Sequence, residues 1–258
     1  MLTGFRRSIL PLIMSVVVIV PLGARPARAA FDWTPIITTA ITAIGTALSA
    51  GNTEAQIRES TRQILAAINT AQSTILTQIE SIAVAETRAC AEDAVIEFRD
   101  IERMTTDNAQ RFAMDATACA VLIKNVAGSL TDKGRIDQLG FALGVVSPIA
   151  MIARSLTGLS NIALQDTLRT AETSLLSALA PECFAELANP DVPRQVGKPI
   201  DWFVECDAYN GDWSQAYAGF YNWPQQPPRT AAVYTTATNG ATRNTSRAIA
   251  VAVLPLFP

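Results

Sequence analysis

The sequence predicts a mainly α protein: an antiparallel helical bundle built on a long disulfide-pinned helical hairpin, followed by a smaller disulfide-stapled, aromatic-rich, irregular C-terminal region. Three observations lead there. Residues 52–127 form a run of 76 with neither glycine nor proline, and such a run, rich in Ala, Gln, Glu, Arg and Ile, favours helix. Four cysteines, Cys90, Cys119, Cys183 and Cys206, all fall beyond an N-terminal stretch with the marks of an export signal. Nine of the 14 prolines lie from Pro181 onward, so helix should give way to loops there. The expected division is residues 1–29 as a signal peptide, 30–181 as the helical bundle and 182–258 as the cysteine-stapled region.

At the N-terminus, Arg6 and Arg7 supply a positive start, and residues 8–22 are an uncharged apolar run of 15. Ala27 and Ala29 place small residues at the −3 and −1 positions, so cleavage is expected after Ala29. The run contains Pro11 and Pro21 and falls short of the ~20 residues that span a bilayer. Arg6-Arg7-Ser8-Ile9-Leu10 also resembles a twin-arginine signal; Phe5 fits that pattern poorly, which favours the general secretory route. Residues 1–29 hold four arginines and no acid. The 20 bases and 23 acids of the chain thus become 16 and 23 after cleavage, a balance of −7. That acidity argues against nucleic acid as a partner. The expected product is secreted or periplasmic.

Residues 34–50 are apolar and threonine-rich. Pro35 suits a first helical turn, and Ile36, Ile37, Ala40, Ile41, Ile44 and Leu48 share one face. After Gly51, Asn52-Thr53-Glu54 is a helix start. Ile57, Ile64, Ile68, Ile75, Ile79 and Ile82 then draw one apolar stripe, and the spacing predicts a single helix to about Arg103. Met104-Thr105-Thr106-Asp107-Asn108 is the expected break, with Thr106 or Asp107 capping a second helix to about Ala127. Cys90 and Cys119 lie 14 to 15 residues on either side of that turn. They would face each other across an antiparallel pair, which makes Cys90–Cys119 the preferred bond and leaves Cys183–Cys206 by exclusion.

Residues 139–153 carry no charge and include Gly140, Gly144 and Pro148, as expected of a buried, kinked helix. Residues 159–180 read as a further helix ended by Pro181. Eight aromatics fall between Trp202 and Trp223, and Trp213, Tyr217 and Phe220 or Tyr221 have helical spacing. Residues 230–238 and 247–254 read as strands flanking an Asn239-Gly240 turn, although the second could equally be helical.

Composition narrows the chemistry. The chain has no histidine, which removes Ser-His-Asp and Cys-His catalysis and His-ligated zinc. Neither Gly-x-Ser-x-Gly nor Ser-x-x-Lys is present. No enzyme activity, cofactor or metal is expected. Glu92, Asp93, Glu97, Asp100, Glu102 and Asp107, beside Arg99 and Arg103, read as a solvated helix face rather than glycosidase carboxylates. Glu205, Asp207, Asn210 and Asp212 have calcium-ligand types without calcium-loop spacing. Asn244-Thr245-Ser246 is a glycosylation acceptor only in a host with that pathway. The aromatics are expected chiefly to form a small satellite core. Their alternative role is ligand binding, with Trp202, Trp213, Tyr217, Tyr221 and Trp223 as the candidates for a glycan or membrane interface.

The function expected is that of a non-enzymatic exported protein presenting a rigid helical surface to a protein or cell-envelope component. Membrane perturbation through residues 35–50 and 139–153 is the first alternative, and glycan binding by the aromatics is the second.

Overall fold

The computed structural model describes residues 53–257. The expected signal peptide and the apolar segment 35–50 lie outside the described residues. Among the described residues, seven helices and one three-stranded sheet follow in the order α1 (Glu54–Glu80), α2 (Ala85–Phe98), α3 (Thr106–Ser129), α4 (Lys133–Leu156), α5 (Ile162–Ala178), β1 (Glu182–Leu187), β2 (Pro199–Asp207), β3 (Trp213–Asn222), α6 (Ala232–Ala241) and α7 (Ser246–Val253). The protein is mainly helical and carries two disulfides, Cys90–Cys119 and Cys183–Cys206. Paired cysteines of this kind fit an oxidising, extracytoplasmic compartment.

Helix α1 starts with a capping box: Gln56 N–H donates to the Thr53 hydroxyl, and Thr53 N–H donates to Gln56 Oε1 at 2.9 Å. Its apolar stripe buries Ile64, Ile68, Ile75 and Ile79. The helix does not continue to Arg103 as the spacing predicts. It stops at Glu80, where the Ser81 hydroxyl donates to the Gln78 carbonyl at 2.6 Å, a side-chain bond that competes with the helical ladder. Val84 is extended (φ −89°, ψ 108°) and α2 begins at Ala85. The break allows Ile82 to bury outside either helix. Between α2 and α3 lies a single 3-10 turn, Ile101–Arg103, and Thr105 caps α3 through Asn108 N–H. Phe98 and Phe112, with ring centroids 6.4 Å apart, pack together beside this turn.

Helix α4 is the hub. All of residues 139–153 are buried, because α1, α2, α3, α5 and α7 all pack on this helix. Pro148 lies within α4. Gly144 and Gly140 make room for α7: a Cβ on Gly144 would lie 2.8 Å from Ile249 Cδ1, and one on Gly140 would lie 2.8 Å from Ser246 Cβ. The α4–α5 connection is tied by Asn161 Nδ2, which donates to the Met151 carbonyl at 3.0 Å, and by Arg154 Nε, which donates to the Ser160 carbonyl at 2.9 Å.

The C-terminal region is not irregular. β1, β2 and β3 form an antiparallel sheet in that order, and Cys183 pairs directly with Cys206 in the β1–β2 register. The residues around Asn239-Gly240 do not make a hairpin. Residues 232–241 are helix α6, and residues 246–253 are helix α7. Tertiary packing overrides the turn signal: α6 lies on the sheet through Ala237 and Ala241 against Val204 and Cys206. A Cβ on Gly240 would lie only 2.7 Å from the Ser214 Cβ, so glycine permits this close approach.

After the sheet, α7 returns to pack on α4 and α5. Its first backbone N–H, at Ser246, donates to Asp137 Oδ1 of α4 at 2.6 Å, and the Tyr209 hydroxyl donates to Asp137 Oδ2 at 2.7 Å. One carboxylate therefore caps a helix N-terminus and pins the β2–β3 loop. Asp137→Ala should lower unfolding stability by about 3 kcal/mol, the low end for a lost pair of charge-assisted hydrogen bonds. An unchanged urea midpoint would refute that role.

Candidate functional site

Alternation along the strands divides the sheet into two faces. Ile200, Trp202, Val204 and Cys206 of β2 point inward and are buried; Asp201, Phe203, Glu205 and Asp207 point the other way. In β3 the outward set is Trp213, Gln215, Tyr217 and, after a bulge opposite Trp202 and Phe203, Phe220. β1 adds Glu182, Phe184 and Glu186. Helix α6 covers the inner face. The outer face is open, with Trp213 59 %, Tyr217 55 % and Phe220 66 % exposed.

The strand register orders these groups into rows. Glu182, Asp207 and Trp213 lie side by side, then Phe184, Glu205 and Gln215, then Glu186, Phe203 and Tyr217, then Asp201 and Phe220. Five aromatic rings thus interleave with five carboxylates, and the three strands contain no lysine or arginine. Among the described residues none of these carboxylates makes an ion pair. Two contacts fix the centre of the face. The Tyr217 hydroxyl donates to Asp201 Oδ1 at 2.6 Å, and the Tyr217 and Phe203 rings meet edge to face at 5.4 Å. Donation to Asp201 pushes the Tyr217 phenol above its usual pKa. Desolvation first, and then the charges of Glu186 and Asp207, push Glu205 above the usual carboxylate range. The face is therefore tied at its centre, apolar in its rings and crowded with like charge.

The five candidate aromatics separate. Trp213 and Tyr217 lie on the open face, where strand alternation rather than helical spacing aligns them. Trp202 is only 2 % exposed because it points inward from β2. Trp223 stacks on it with centroids 6.0 Å apart and planes at 9°, and the Arg194 guanidinium lies 5.2 Å from the Trp223 ring centre. Tyr221 stands opposite Ile200, on the inner side. Neither Trp202 nor Tyr221 belongs to the outer row. The open face instead includes Phe184, Phe203 and Phe220, whose outward position only the register of the strands reveals. Trp213, Tyr217 and Phe220 are thus not part of a satellite core. That core is made by Val204, Cys206, Ala208, Tyr234, Ala237 and Ala241.

The other candidates fall elsewhere. Asp93, Glu97 and Asp100 line an open groove of about 620 Å³ between α2 and α3, with Arg103, Arg111 and Asp115 on its walls. Asp212 accepts from Asn210 Nδ2 at 3.1 Å and from Asn244 Nδ2 at 2.9 Å. The Asn244 amide of the glycosylation sequon is thereby occupied, and Thr245 and Ser246 are fully buried. No grouping of three or more His, Cys, Asp or Glu fit to hold a metal occurs among the described residues.

Fold and site together define a class: a mainly helical, doubly disulfide-bonded protein that carries a small antiparallel sheet open on one aromatic, acidic face. No family model, curated protein or solved structure matches the chain.

Proposed function

We propose that this chain is an exported, non-enzymatic protein that presents a rigid surface to a protein or cell-envelope partner, and that the surface is the outer face of the sheet. The observation that carries this reading is the exposure of Trp213, Tyr217 and Phe220 on one side of a sheet whose other side is buried, under α6 around Val204 and Cys206 and under Trp223 at Trp202. Large rings left in water on a rigid support are a common sign of a binding surface. The helical part supports the sheet as an antiparallel bundle built on the disulfide-pinned pair α2 and α3. The mature chain starts near Ala30 after secretory export, so the protein acts in the periplasm or outside the cell.

Replacing Trp213, Tyr217 and Phe220 together by alanine should leave the far-UV circular dichroism unchanged, because exposed side chains contribute little to folding. It should abolish retention of envelope components that the unaltered protein captures. Identical retention by both proteins would sink the reading.

Helix α4 favours a second reading, membrane perturbation. Its 24 residues are long and apolar enough to cross a membrane by length and composition, and amphipathic neighbours enclose it in the folded protein. Unfurling those neighbours would release it. Dye-loaded vesicles of phosphatidylethanolamine and phosphatidylglycerol should then leak when the protein is added. Intact vesicles from pH 4 to pH 8 would count decisively against insertion.

A further inference from the structure

We propose that the open sheet face receives an extended, basic polypeptide segment, whose arginine or lysine side chains seat between the aromatic rings and the carboxylates. The inference rests on the reading of this face as the interaction surface, and adds to it the chemistry of the partner.

Length comes first. Trp213 and Tyr217 are four residues apart on one strand, and Phe220 is three further. At about 3.3 Å per residue the row is roughly 23 Å long. A compact ligand touches only one end of such a row, whereas a chain of about seven residues in extended form follows its whole length. Alternate side chains of that segment would then point at the sheet, matching the two-residue period of the face.

Charge decides between classes of ligand. Glu182, Glu186, Asp201, Glu205 and Asp207 share the face, and no strand residue is basic. The basic residue nearest β1 in the hydrogen-bond network, Arg229, is engaged elsewhere: it donates to the Cys183 carbonyl at 2.6 Å, and its guanidinium lies 5.3 Å from the Tyr234 ring centre on the inner side. Five carboxylates, none of them in an ion pair among the described residues, repel anionic lipid and nucleic acid. A neutral glycan would stack on the rings but leave the like-charge crowding in place. A guanidinium or ammonium group serves both partners at once, lying over a ring face and bonding a neighbouring carboxylate. Each row of the face supplies that combination: Asp207 beside Trp213, Glu205 within reach of Phe184, Glu186 in line with Phe203 and Tyr217, and Asp201 beside Phe220. Arginine is the better fit of the two cations, since its planar group both stacks and forks.

The test uses the mature protein and three probes: a fluorescein-labelled Arg-Thr-Arg-Thr-Arg-Thr-Arg peptide, the same peptide with Glu for Arg, and cellohexaose. Anisotropy should show the arginine peptide binding in 20 mM salt and at least tenfold weaker binding in 300 mM salt. The triple change Glu186→Gln, Glu205→Gln, Asp207→Asn and the double change Trp213→Ala, Tyr217→Ala should each weaken it at least tenfold. The first of these relieves repulsion, so its thermal midpoint should stay level or rise, which separates lost binding from lost folding. Equal binding of the Arg and Glu peptides overturns the proposal. So does undiminished binding by the charge-removed variant, and so does calorimetric binding of cellohexaose in place of the arginine peptide. If the arginine peptide fails while envelope capture still depends on Trp213, Tyr217 and Phe220, the basic-segment inference falls and the surface reading stands. If capture is indifferent to those rings as well, both fall.

Discussion

Exchanging Glu172 for methionine should raise the stability of the protein at pH 8 by several kcal/mol. Glu172 lies on α5, is 2 % exposed, and has no hydrogen-bond partner for its Oε2 among the described residues. Burial pushes its carboxyl up to about 8, and no neighbouring charge contributes to that shift. The acid is therefore neutral in the folded chain at pH 7 but ionised in the unfolded chain, where its value is about 4.5. The folded state binds more protons across that interval, so stability is full below about pH 4.5 and falls until about pH 8. Converting the whole shift gives a loss of about 5 kcal/mol as an upper bound. Water entry on ionisation would reduce it. Glu172→Gln should flatten the pH profile by removing the titration. Glu172→Met should also lift it, since it replaces an unsatisfied polar group by a flexible apolar one. Chemical unfolding at half-unit steps from pH 4 to pH 9 checks both. Superimposable profiles for the unaltered protein and the glutamine variant would refute the account.

Removal of the Cys90–Cys119 bond is the second large effect. The cysteines are 29 residues apart, and releasing a loop of that length adds unfolded-chain entropy worth ~3–4 kcal/mol. Cys90→Ala with Cys119→Ala should lower the thermal midpoint by roughly 10 °C for a chain of this size. The bond joins α2 to α3, both of which pack on α4, so its loss should loosen those two helices ahead of the sheet. Hydrogen exchange should show protection falling first in residues 85–129. Uniform loss across the sheet as well would mean that the whole protein unfolds as one unit.

The Cys90–Cys119 bond is legible in the sequence because two helices folded about a turn near residue 105 place positions equidistant from it side by side. The isoleucine stripe of α1 and the burial of residues 139–153 are legible for a similar reason: periodicity and lack of charge act locally. The break at Ser81 is less so. Its propensity cost is small, and the decision rests on Ile82 reaching the core between two helices. The sheet has a signal of its own in the alternation of Ile200, Trp202, Val204 and Cys206 with Asp201, Phe203, Glu205 and Asp207. Aromatic residues on both faces blur that alternation. Trp202 and Trp213 look alike along the chain, and only strand register sends one inward and the other into water. Asn239-Gly240 carries a turn signal, yet the need to cover the inner face of the sheet makes it helix.

Asp137 and Lys133 stand one turn apart on α4. Lys133 Nζ holds the Ala180 carbonyl at 3.2 Å, just before the sheet begins, and Asp137 holds Ser246, just after α6 ends. The sheet and its helix are thus an insertion whose entrance and exit meet at one place on the scaffold. Such an arrangement behaves like a socket. Beyond the insertion α5 and α7 pack on each other and on α4, so a segment of another sequence spliced between Ala180 and Ser246 would meet the same two anchor points. Changes in the length or sequence of the inserted segment are therefore absorbed at one place on the scaffold.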